Sequence, residues 1–292
     1  MKLLVSCLLL CLALPVTAAE LTIDLGHGVH RYSTAQLLTR ADVRTVSIPV
    51  DVAFRRPMQY RAIPLRAVLD RITPTDHLQF VANDGFTAEI PAAALLDPSH
   101  GEPWLAIEDP ARPWPALPEN HGTAGPFYVV WTQMQATPGN AEQWPYQLVS
   151  IRKLGSVAER FPALLPAASL PADSVIRRGF AVFTQTCLAC HTLNRQGSAS
   201  LGPDLNVPHN PTEYLRSDLL RAYIRNPQSL RYWPTAKMPG LDARTLPDAD
   251  LDAVVAYLQH MAGRKASSVR VTAADATGPA ARSTNPASAA TH

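Results

Sequence analysis

The sequence has little cysteine, little net charge and few long apolar runs. Only four of its 292 residues are cysteines, and two of these, Cys7 and Cys11, lie in an apolar N-terminal segment. The formal net charge is +2, so the chain lacks the concentrated basic face with which proteins bind nucleic-acid phosphates. After residue 19, no apolar stretch reaches the roughly 20 residues of a membrane-spanning helix. These absences argue against a nucleic-acid-binding protein and against a membrane span in the mature chain.

The N-terminus has the pattern of a secretory signal peptide. Lys2 gives a positive start, residues 3–16 are apolar, and small residues follow up to Ala19, where we expect cleavage. We therefore expect residues 1–19 to be removed and the mature protein to be exported to the periplasm. Two alternatives are an uncleaved membrane anchor and a lipid attached to Cys7, although Cys7 lies too close to the chain start for an apolar run to precede it.

Residues 20–160 predict an α+β domain that is mainly β. Seven short segments are rich in β-branched and aromatic residues and are bounded by Pro, Gly, Asn and Asp, which is typical of strands. They are residues 21–25, 43–50, 78–82, 87–90, 104–107, 127–131 and 147–151. The Asn-Asp-Gly run at 83–85 predicts a turn between two of them. Short helices are expected at 33–40, which starts with a capping-box pattern, and at 65–72.

The composition changes twice in the second half of the chain. Residues 161–173 are rich in Pro and Ala and predict an extended linker. Residues 174–263 have helical periodicity and predict an all-α domain, with Asp173 as the candidate N-cap of its first helix. Residues 264–292 consist largely of Ala, Ser, Thr, Pro and Arg. Because this composition cannot bury enough apolar surface to offset the entropy of ordering, we expect the tail to be disordered.

The remaining cysteine pair carries the most specific motif in the chain. Cys187 and Cys190 are separated by two residues, and His191 follows directly. Two thiols at this spacing can reach two vinyl groups of one porphyrin, and the next imidazole then falls under the iron, so the motif predicts one covalently bound haem c. A zinc site would need two further Cys or His ligands at a second short spacing, and none follows. A disulfide and a redox-active dithiol are the weaker alternatives.

Two amphipathic helices are predicted around this motif. The first covers residues 174–186 and the second residues 247–261, and each has apolar residues at helical spacing on one face. These apolar positions are Val175, Ile176, Gly179, Phe180 and Phe183 in the first helix, and Leu251, Val254, Val255 and Leu258 in the second. Gly179 is expected to let the second helix approach the first closely.

Met238 is the predicted second axial ligand of the iron. The methionines of the mature chain are Met58, Met134, Met238 and Met261. Only the last two lie in the helical region, and Met261 ends a helix that should pack in the core. Met238 lies in an irregular, Pro-flanked segment suited to crossing a haem face. His209 and His260 are the rival ligands.

A backbone carbonyl is expected to orient the histidine of the motif. Gly202-Pro203-Asp204-Leu205 follows the motif, and the carbonyl of Pro203 is the candidate acceptor for the other ring N–H of His191. Such a hydrogen bond fixes the imidazole and raises its basicity.

Residues 174–263 resemble class I cytochromes c. The matching features are Gly179 with Phe183, the CLACH motif at 187–191, GPDL at 202–205, KMPG at 237–240 and the closing helix with VVAYLQ. The resemblance implies the helical cytochrome c fold, thioether links at Cys187 and Cys190, and His191 and Met238 as axial ligands. It also implies that Tyr257 packs against the first helix.

That ligation predicts electron transfer rather than oxygen chemistry. With histidine on one side and methionine on the other, the iron has no open position. A thioether ligand raises the reduction potential relative to a second histidine, and burial acts in the same direction. We therefore expect a positive potential.

The N-terminal domain resembles, more loosely, the molybdopterin-binding domain of sulfite-oxidase-like proteins. The features are YRAIPLRAVL at 60–69, VANDGFTAEI at 81–90 and WPYQLVSI at 144–151. Those enzymes bind molybdenum through a cysteine thiolate, and residues 20–160 contain no cysteine. We therefore expect a domain of that shape without the molybdenum cofactor, which serves in docking or recognition.

Together these features predict a periplasmic monohaem cytochrome that carries electrons between a dehydrogenase and a downstream cytochrome or oxidase. The N-terminal domain would be its docking module, and the protein would more plausibly be a carrier than an enzyme with its own turnover. The alternatives are a haem-containing subunit of a periplasmic oxidoreductase, whose N-terminal domain binds a substrate or cofactor, and a redox or ligand sensor.

Overall fold

The computed structural model describes residues 19–118, 122–133 and 141–266. Residues 1–18 of the predicted signal peptide and residues 267–292 of the predicted tail lie outside this description. A mainly β N-terminal region precedes a helical C-terminal region, as the sequence predicts. Among the described residues, no helix has the length and apolar character needed to cross a bilayer.

Nine strands in the described ranges form two sheets. The five-stranded sheet has the order β2-β1-β9-β5-β6 and the four-stranded sheet the order β3-β4-β7-β8. In chain order the strands are β1 (Glu20–Asp24), β2 (Val29–Ser33), β3 (Arg44–Ile48), β4 (Met58–Pro64), β5 (His77–Ala82), β6 (Thr87–Pro91), β7 (Glu102–Ile107), β8 (Phe127–Thr132) and β9 (Leu148–Leu154). The pairings are antiparallel except that of β1 with β9.

One apolar core joins the two sheets. Strand β1 buries Leu21 and Ile23 on one face and leaves the alternate residues more exposed, as a period-2 pattern requires. Strand β8 is buried at every position from Phe127 to Trp131, and this continuous burial explains its uniformly apolar sequence. Side chains of both sheets belong to the same cluster of buried residues.

All seven strands predicted from the sequence are present, with small shifts at their ends. Strands β2 and β4 were not predicted. Strand β2 is an edge strand with exposed Val29, His30 and Arg31, so it lacks the apolar alternation that marks a half-buried strand.

The first predicted helix is confirmed and the second is wrong. Helix α1 (Thr34–Leu38) starts with a capping box in which Ser33 and Gln36 bond each other's backbone N–H. The helix expected at 65–72 is only a 3₁₀ turn at Leu65–Ala67. Short helical segments also occur at α2 (Ala92–Leu96), Pro98–His100 and Ala141–Gln143.

The helical region is built on the contact between its first and last helices, which are far apart in the sequence. Helix α4 (Val175–Val182) continues as a π-helical turn, Phe183–Cys187, and packs against α8 (Asp248–Ala262). Between them lie α5 (Pro211–Tyr214), α6 (Ser217–Arg225) and α7 (Pro227–Leu230). The N-cap of α4 is Ser174, whose side chain accepts from the backbone N–H of Arg177, rather than the expected Asp173.

Gly179 lies at the contact between α4 and α8. A Cβ atom there would clash with the carbonyl oxygen of Ala253 and would lie 2.7 Å from Cβ of Tyr257. Tyr257 is fully buried, and its ring contacts those of Phe180 and Phe183 at centroid distances of 5.8 and 5.2 Å. The expected close approach of the two helices is therefore present.

The segment between the two regions is packed against the helices. Helix α3 (Val157–Arg160) and the 3₁₀ turn Pro162–Leu164 contribute Val157 and Leu164 to the apolar cluster that contains Tyr257. The Tyr257 hydroxyl also donates to the Leu164 carbonyl over 2.6 Å. Residues 161–173, expected to be a linker, thus contact the helical region along part of their length.

Candidate functional site

The Cys-x-x-Cys-His segment begins where the π-helical turn after α4 ends. The backbone N–H groups of Cys190 and His191 both donate to the carbonyl of Cys187, over 3.1 and 2.9 Å. This tight turn brings the three residues of the motif together on one side of the segment. Neither cysteine forms a disulfide. Burial raises the pKa of each thiol to about 12, so both are neutral thiols at physiological pH.

His191 is held by the segment that follows the motif. Its Nδ1 atom lies 2.8 Å from the carbonyl oxygen of Pro203. Because a carbonyl only accepts, Nδ1 carries the proton in this contact, and Nε2 is left with its lone pair. Burial lowers the pKa of His191 and so favours the neutral, ligating form of the ring.

Gly202 forms a close-fitting wall against the imidazole. A Cβ atom at this position would lie 2.5 Å from Cε1 and from Nδ1 of His191. The Gly202 N–H also donates to the carbonyl of Cys190 over 2.7 Å. The ring plane of His191 is therefore set by backbone on one side and by the Pro203 carbonyl at its end.

Asp204 organises the loop that supplies this carbonyl. Its carboxylate accepts from the hydroxyl of Thr192 (3.0 Å) and from the N–H groups of Asn206 and Val207 (2.8 Å each). Burial by itself would raise the pKa of Asp204, but the backbone N–H donors outweigh it and lower that pKa. The sequence showed Asp204 only as part of GPDL and did not reveal that it orders the loop.

Three buried asparagines connect this loop to the end of α8. The Asn206 side chain donates to the Met261 carbonyl (2.7 Å) and to Asn194 Oδ1 (2.8 Å), and Asn210 donates to the Leu258 carbonyl (3.0 Å). The Met261 carbonyl also accepts the N–H of Arg264 over 2.8 Å, so the Asn206 amide adds a further hydrogen bond at the end of α8. The loop beside His191 is thereby bonded to the closing helix.

Met238 packs against the apolar cluster between α6 and α8. Its side chain is partly buried against the cluster formed by α6 and α8, which includes Leu220 and Ile224. The segment that carries it is fixed to α6 because the N–H of Leu241 donates to the Ile224 carbonyl over 3.0 Å. Gly240 lies against the same helix end, where a Cβ would be 2.6 Å from the Arg225 carbonyl.

The three other residues considered as the second iron ligand each have a different set of contacts. Met261 is buried in the core with Tyr257. His260 accepts the N–H of Ala167 at Nε2 over 3.1 Å. His209 is largely exposed and lies 3.9 Å from the Glu213 carboxylate.

The N-terminal region covers part of the motif. The N–H of Thr87 on β6 donates to the carbonyl of Ala189, between the two cysteines, over 2.9 Å. The N–H of Ser200 donates to the Gly85 carbonyl over 3.2 Å, and Gln79 donates to the Ser198 hydroxyl over 3.0 Å. The β5–β6 hairpin with its predicted Asn-Asp-Gly turn is thus bonded to the motif itself, at Ala189, and to the segment that follows it, at Ser198 and Ser200. No local sequence signal indicated this contact.

The residues present fit a covalently attached haem. Cys187 and Cys190 are free thiols on one turn, and His191 has its ring oriented with Nε2 available. Gly202 lies against the ring of His191, and a larger residue at this position would occupy the space that the imidazole needs. A thioether and an imidazole are both established haem-iron ligands. Among the described residues, no group of three or more His, Cys, Asp or Glu side chains forms a separate metal site.

Comparison with known families agrees with this geometry for the helical region. Residues 176–262 match the family model of cytochrome c. The match covers the helical region and supports its assignment as a haem-containing, electron-carrying domain. A search of curated proteins gave no significant match to the chain.

Proposed function

We propose that the protein is a periplasmic monohaem c-type cytochrome. It carries single electrons between a dehydrogenase and a downstream cytochrome or oxidase, with its N-terminal domain as a docking module. The observation that carries the proposal is the orientation of His191 by the Pro203 carbonyl, next to two free cysteines in a cytochrome c domain. When bound, a haem supplies one-electron iron chemistry.

The residues of the chain would each have a defined task in this function. Cys187 and Cys190 would hold a haem through thioether bonds, and His191 and Met238 would ligate its iron. With both ligands supplied by side chains, the group would supply electron transfer rather than oxygen chemistry. The Pro203 carbonyl holds the proton on Nδ1 of His191, which keeps the imidazole in one tautomer and raises its basicity. A fixed ligand set favours fast electron exchange because little has to move.

The docking role of the N-terminal domain is supported by its bonds to the motif. The Thr87 N–H donates to the Ala189 carbonyl within the haem-attachment segment, and the Gly85 carbonyl accepts the N–H of Ser200, which follows that segment. A partner that recognised the β domain near this hairpin would be held close to the point where electrons enter or leave. The β domain would therefore select the partner, while the helical domain carries the electron.

The test is the spectrum and attachment of the haem in the full-length protein, matured in a periplasm that assembles c-type cytochromes. We expect haem that stays with the chain in acidified organic solvent, at one per chain. We expect Met238→Leu to abolish the near-infrared sulfur-to-iron band of the oxidised protein and to lower its potential. Met58→Leu, in the β domain, is the matched control and should leave both unchanged.

Two results would contradict the proposal. One is a porphyrin that is extracted by acidified solvent, and the other is a near-infrared spectrum unaffected by Met238→Leu. The docking role is tested separately by capturing partners from the periplasm with the full-length holoprotein. A dehydrogenase that reduces it is expected, and its binding should be lost when residues of the β5–β6 hairpin turn are replaced.

A further inference from the structure

A carboxyl group of the N-terminal domain, with one buried oxygen, lies near the haem-attachment segment. Glu142 belongs to the 3₁₀ turn Ala141–Gln143, which contacts strand β6. The same strand contacts the π-helical turn Phe183–Cys187 from the helical domain. The Oε2 atom of Glu142 is buried, and within the described part of the chain no group forms a hydrogen bond to it. A buried carboxyl oxygen without a partner is rare and costly, so it calls for a functional explanation.

The carboxyl group acts electrostatically on both haem-attachment residues. A negative charge on Glu142 contributes to the raised pKa of Cys187 and to that of Cys190. It therefore lies within Coulombic reach of both positions where the porphyrin would be tied. Inside a protein, where screening by water is weak, a charge at such a range changes the free energy of a nearby cation appreciably.

Among the residues that the structure describes, no cation acts on the carboxyl group of Glu142. On β6, the charged residue is Glu89, and it is already bonded to Arg160 over 2.6 Å and to His77 over 3.1 Å. On the β5–β6 turn, Asp84 adds a second negative charge near Cys190, but it is exposed and bonds the N–H of Phe86. In the π-helical turn, the buried hydroxyl of Thr186 has no partner among the described residues.

Burial places the titration of this group in the physiological range. Removal from water raises the pKa of Glu142 to about 7, so small changes in nearby charge move it between its two forms.

We propose that Glu142 is a redox-linked proton site: it takes up one proton when the domain is reduced by one electron and releases it on oxidation. The inference rests on the proposed function, because it requires a haem on Cys187 and Cys190. In the reduction, a one-electron donor protein supplies the electron, solvent supplies the proton, and the Glu142 carboxylate becomes a carboxylic acid. Oxidation reverses both transfers, so charge and atoms balance.

The direction follows from reciprocal linkage. The oxidised centre carries one more positive charge, which favours the ionised carboxylate and lowers its pKa relative to the reduced state. By the same coupling, the ionised carboxylate stabilises the oxidised state and lowers the reduction potential. The potential should therefore fall as the pH rises through the titration of Glu142 and be constant well below and well above it.

The experiment compares the midpoint potential of the full-length holoprotein as a function of pH with that of Glu142→Gln. For the wild type we expect a tenfold or larger ratio between the acid dissociation constants in the two redox states, equivalent to a fall of about 59 mV across the titration. At every pH in this range, the midpoint potential of Glu142→Gln should stay at the value that the wild type has at acid pH, where Glu142 is protonated. Haem propionates titrate in both proteins, so the difference between the two curves isolates Glu142.

A neighbouring carboxylate provides the matched control. Asp84→Asn removes a charge that also acts on Cys190, but the side chain of Asp84 is exposed to solvent. It should raise the potential slightly at every pH and leave the pH-dependent fall in place. A redox-induced infrared difference spectrum gives an independent readout: a carboxylic-acid C=O band should appear on reduction and be absent in Glu142→Gln.

The proposal is overturned if Glu142→Gln retains the pH dependence of the wild type, or if the wild-type potential does not change with pH around neutrality. Either result would leave the proposed cytochrome function intact, because the protein would still bind haem and cycle reversibly. A chain without covalent haem would instead refute the proposed function before any potential was measured.

Discussion

At the scale of single residues, the site depends on very small clearances around His191. Gly202 is in van der Waals contact with the imidazole, and the Pro203 carbonyl next to it accepts the ring proton. A side chain at position 202 would push the ring away from this carbonyl. The glycine is needed here because of the close approach and not because of an unusual backbone angle.

We expect Gly202→Ala to destabilise the protein and to loosen the imidazole of His191. The new Cβ would lie 2.5 Å from two ring atoms, and overpacking of this kind costs about 1–3 kcal/mol. The measurements are the free energy of unfolding in denaturant and the fraction of chains with covalent haem. Gly263→Ala at the end of α8 is the control, because the nearest atom to its added Cβ is 4.0 Å away. Equal stability of the two variants would contradict this view of the site.

At the scale of elements, the contact between α4 and α8 aligns the two ends of the helical domain. Helix α4 leads directly into the Cys-x-x-Cys-His segment, and α8 ends at the carbonyls that Asn206 and Asn210 bind. A shift of one helix against the other would therefore move the motif relative to the loop that carries Pro203. The crossing point at Gly179 sets this alignment.

We expect Gly179→Ala to be destabilising although alanine is the better helix former. Propensity alone would favour alanine by about 1 kcal/mol. The added Cβ would clash with the Ala253 carbonyl, however, and overpacking against backbone costs about 1–3 kcal/mol or more. Thermal unfolding of the holoprotein measures the net effect. Ala181→Val, at an exposed position of the same helix, should change stability by less than about 1 kcal/mol.

If Gly179→Ala instead stabilised the protein, the close packing of α4 against α8 would be wrong. Substitutions at Ala253 test whether the clash involves only the backbone of that residue. Substitutions of the Ala253 side chain cannot relieve the clash, so no second-site change there should rescue Gly179→Ala.

At the scale of the whole molecule, a buried ion pair links the β sheet to the segment that packs on the helices. Glu89 on β6 accepts from Arg160 of α3 over 2.6 Å, from His77 over 3.1 Å and from Gln79 over 2.7 Å. Burial by itself would raise the pKa of Glu89, but these three partners together lower it. Next to Arg160, Val157 and Leu164 belong to the apolar cluster of the helical domain.

We expect Arg160→Met to destabilise the protein by about 3 kcal/mol at neutral pH, because it leaves a buried carboxylate short of its cation. Since the folded-state pKa of Glu89 is depressed, its stabilising contribution is present above the unfolded value of about 4.5 and is lost as the pH falls through the folded value. The gap in unfolding free energy between wild type and Arg160→Met should therefore narrow on acidification. Denaturant titrations at a series of pH values measure it.

The control for this prediction is an exposed pair in the same domain. Arg66 and Glu102 are 3.8 Å apart with most of the Arg66 side chain in solvent, so Arg66→Met should cost less than about 1 kcal/mol at any pH. A cost for Arg160→Met that stayed constant down to acid pH would show that the ionised form of Glu89 is not what Arg160 stabilises.

The sequence by itself determined the parts of the protein that depend on short-range patterns. The spacing of Cys187, Cys190 and His191 predicts covalent haem attachment from five consecutive residues. The periodicities of seven strands and of α4 and α8 identify these elements, because alternation or a 3.6-residue repeat is visible wherever one face is buried. The edge strand β2 was missed because it has no such pattern. The 65–72 helix was predicted wrongly because its apolar residues enter the sheet core instead of forming a helical face.

Only the tertiary structure decided which residues of the two domains contact each other. The contact between Gln79 and Ser198 joins residues 119 positions apart, and the bond from Thr87 to Ala189 is of similar range. Local patterns carry no information about such pairs, since each residue is an ordinary polar group in its own segment. The position of Glu142 near Cys187 and Cys190, with its Oε2 atom buried, arises in the same way. Its environment is made by three segments that meet only when the chain is folded.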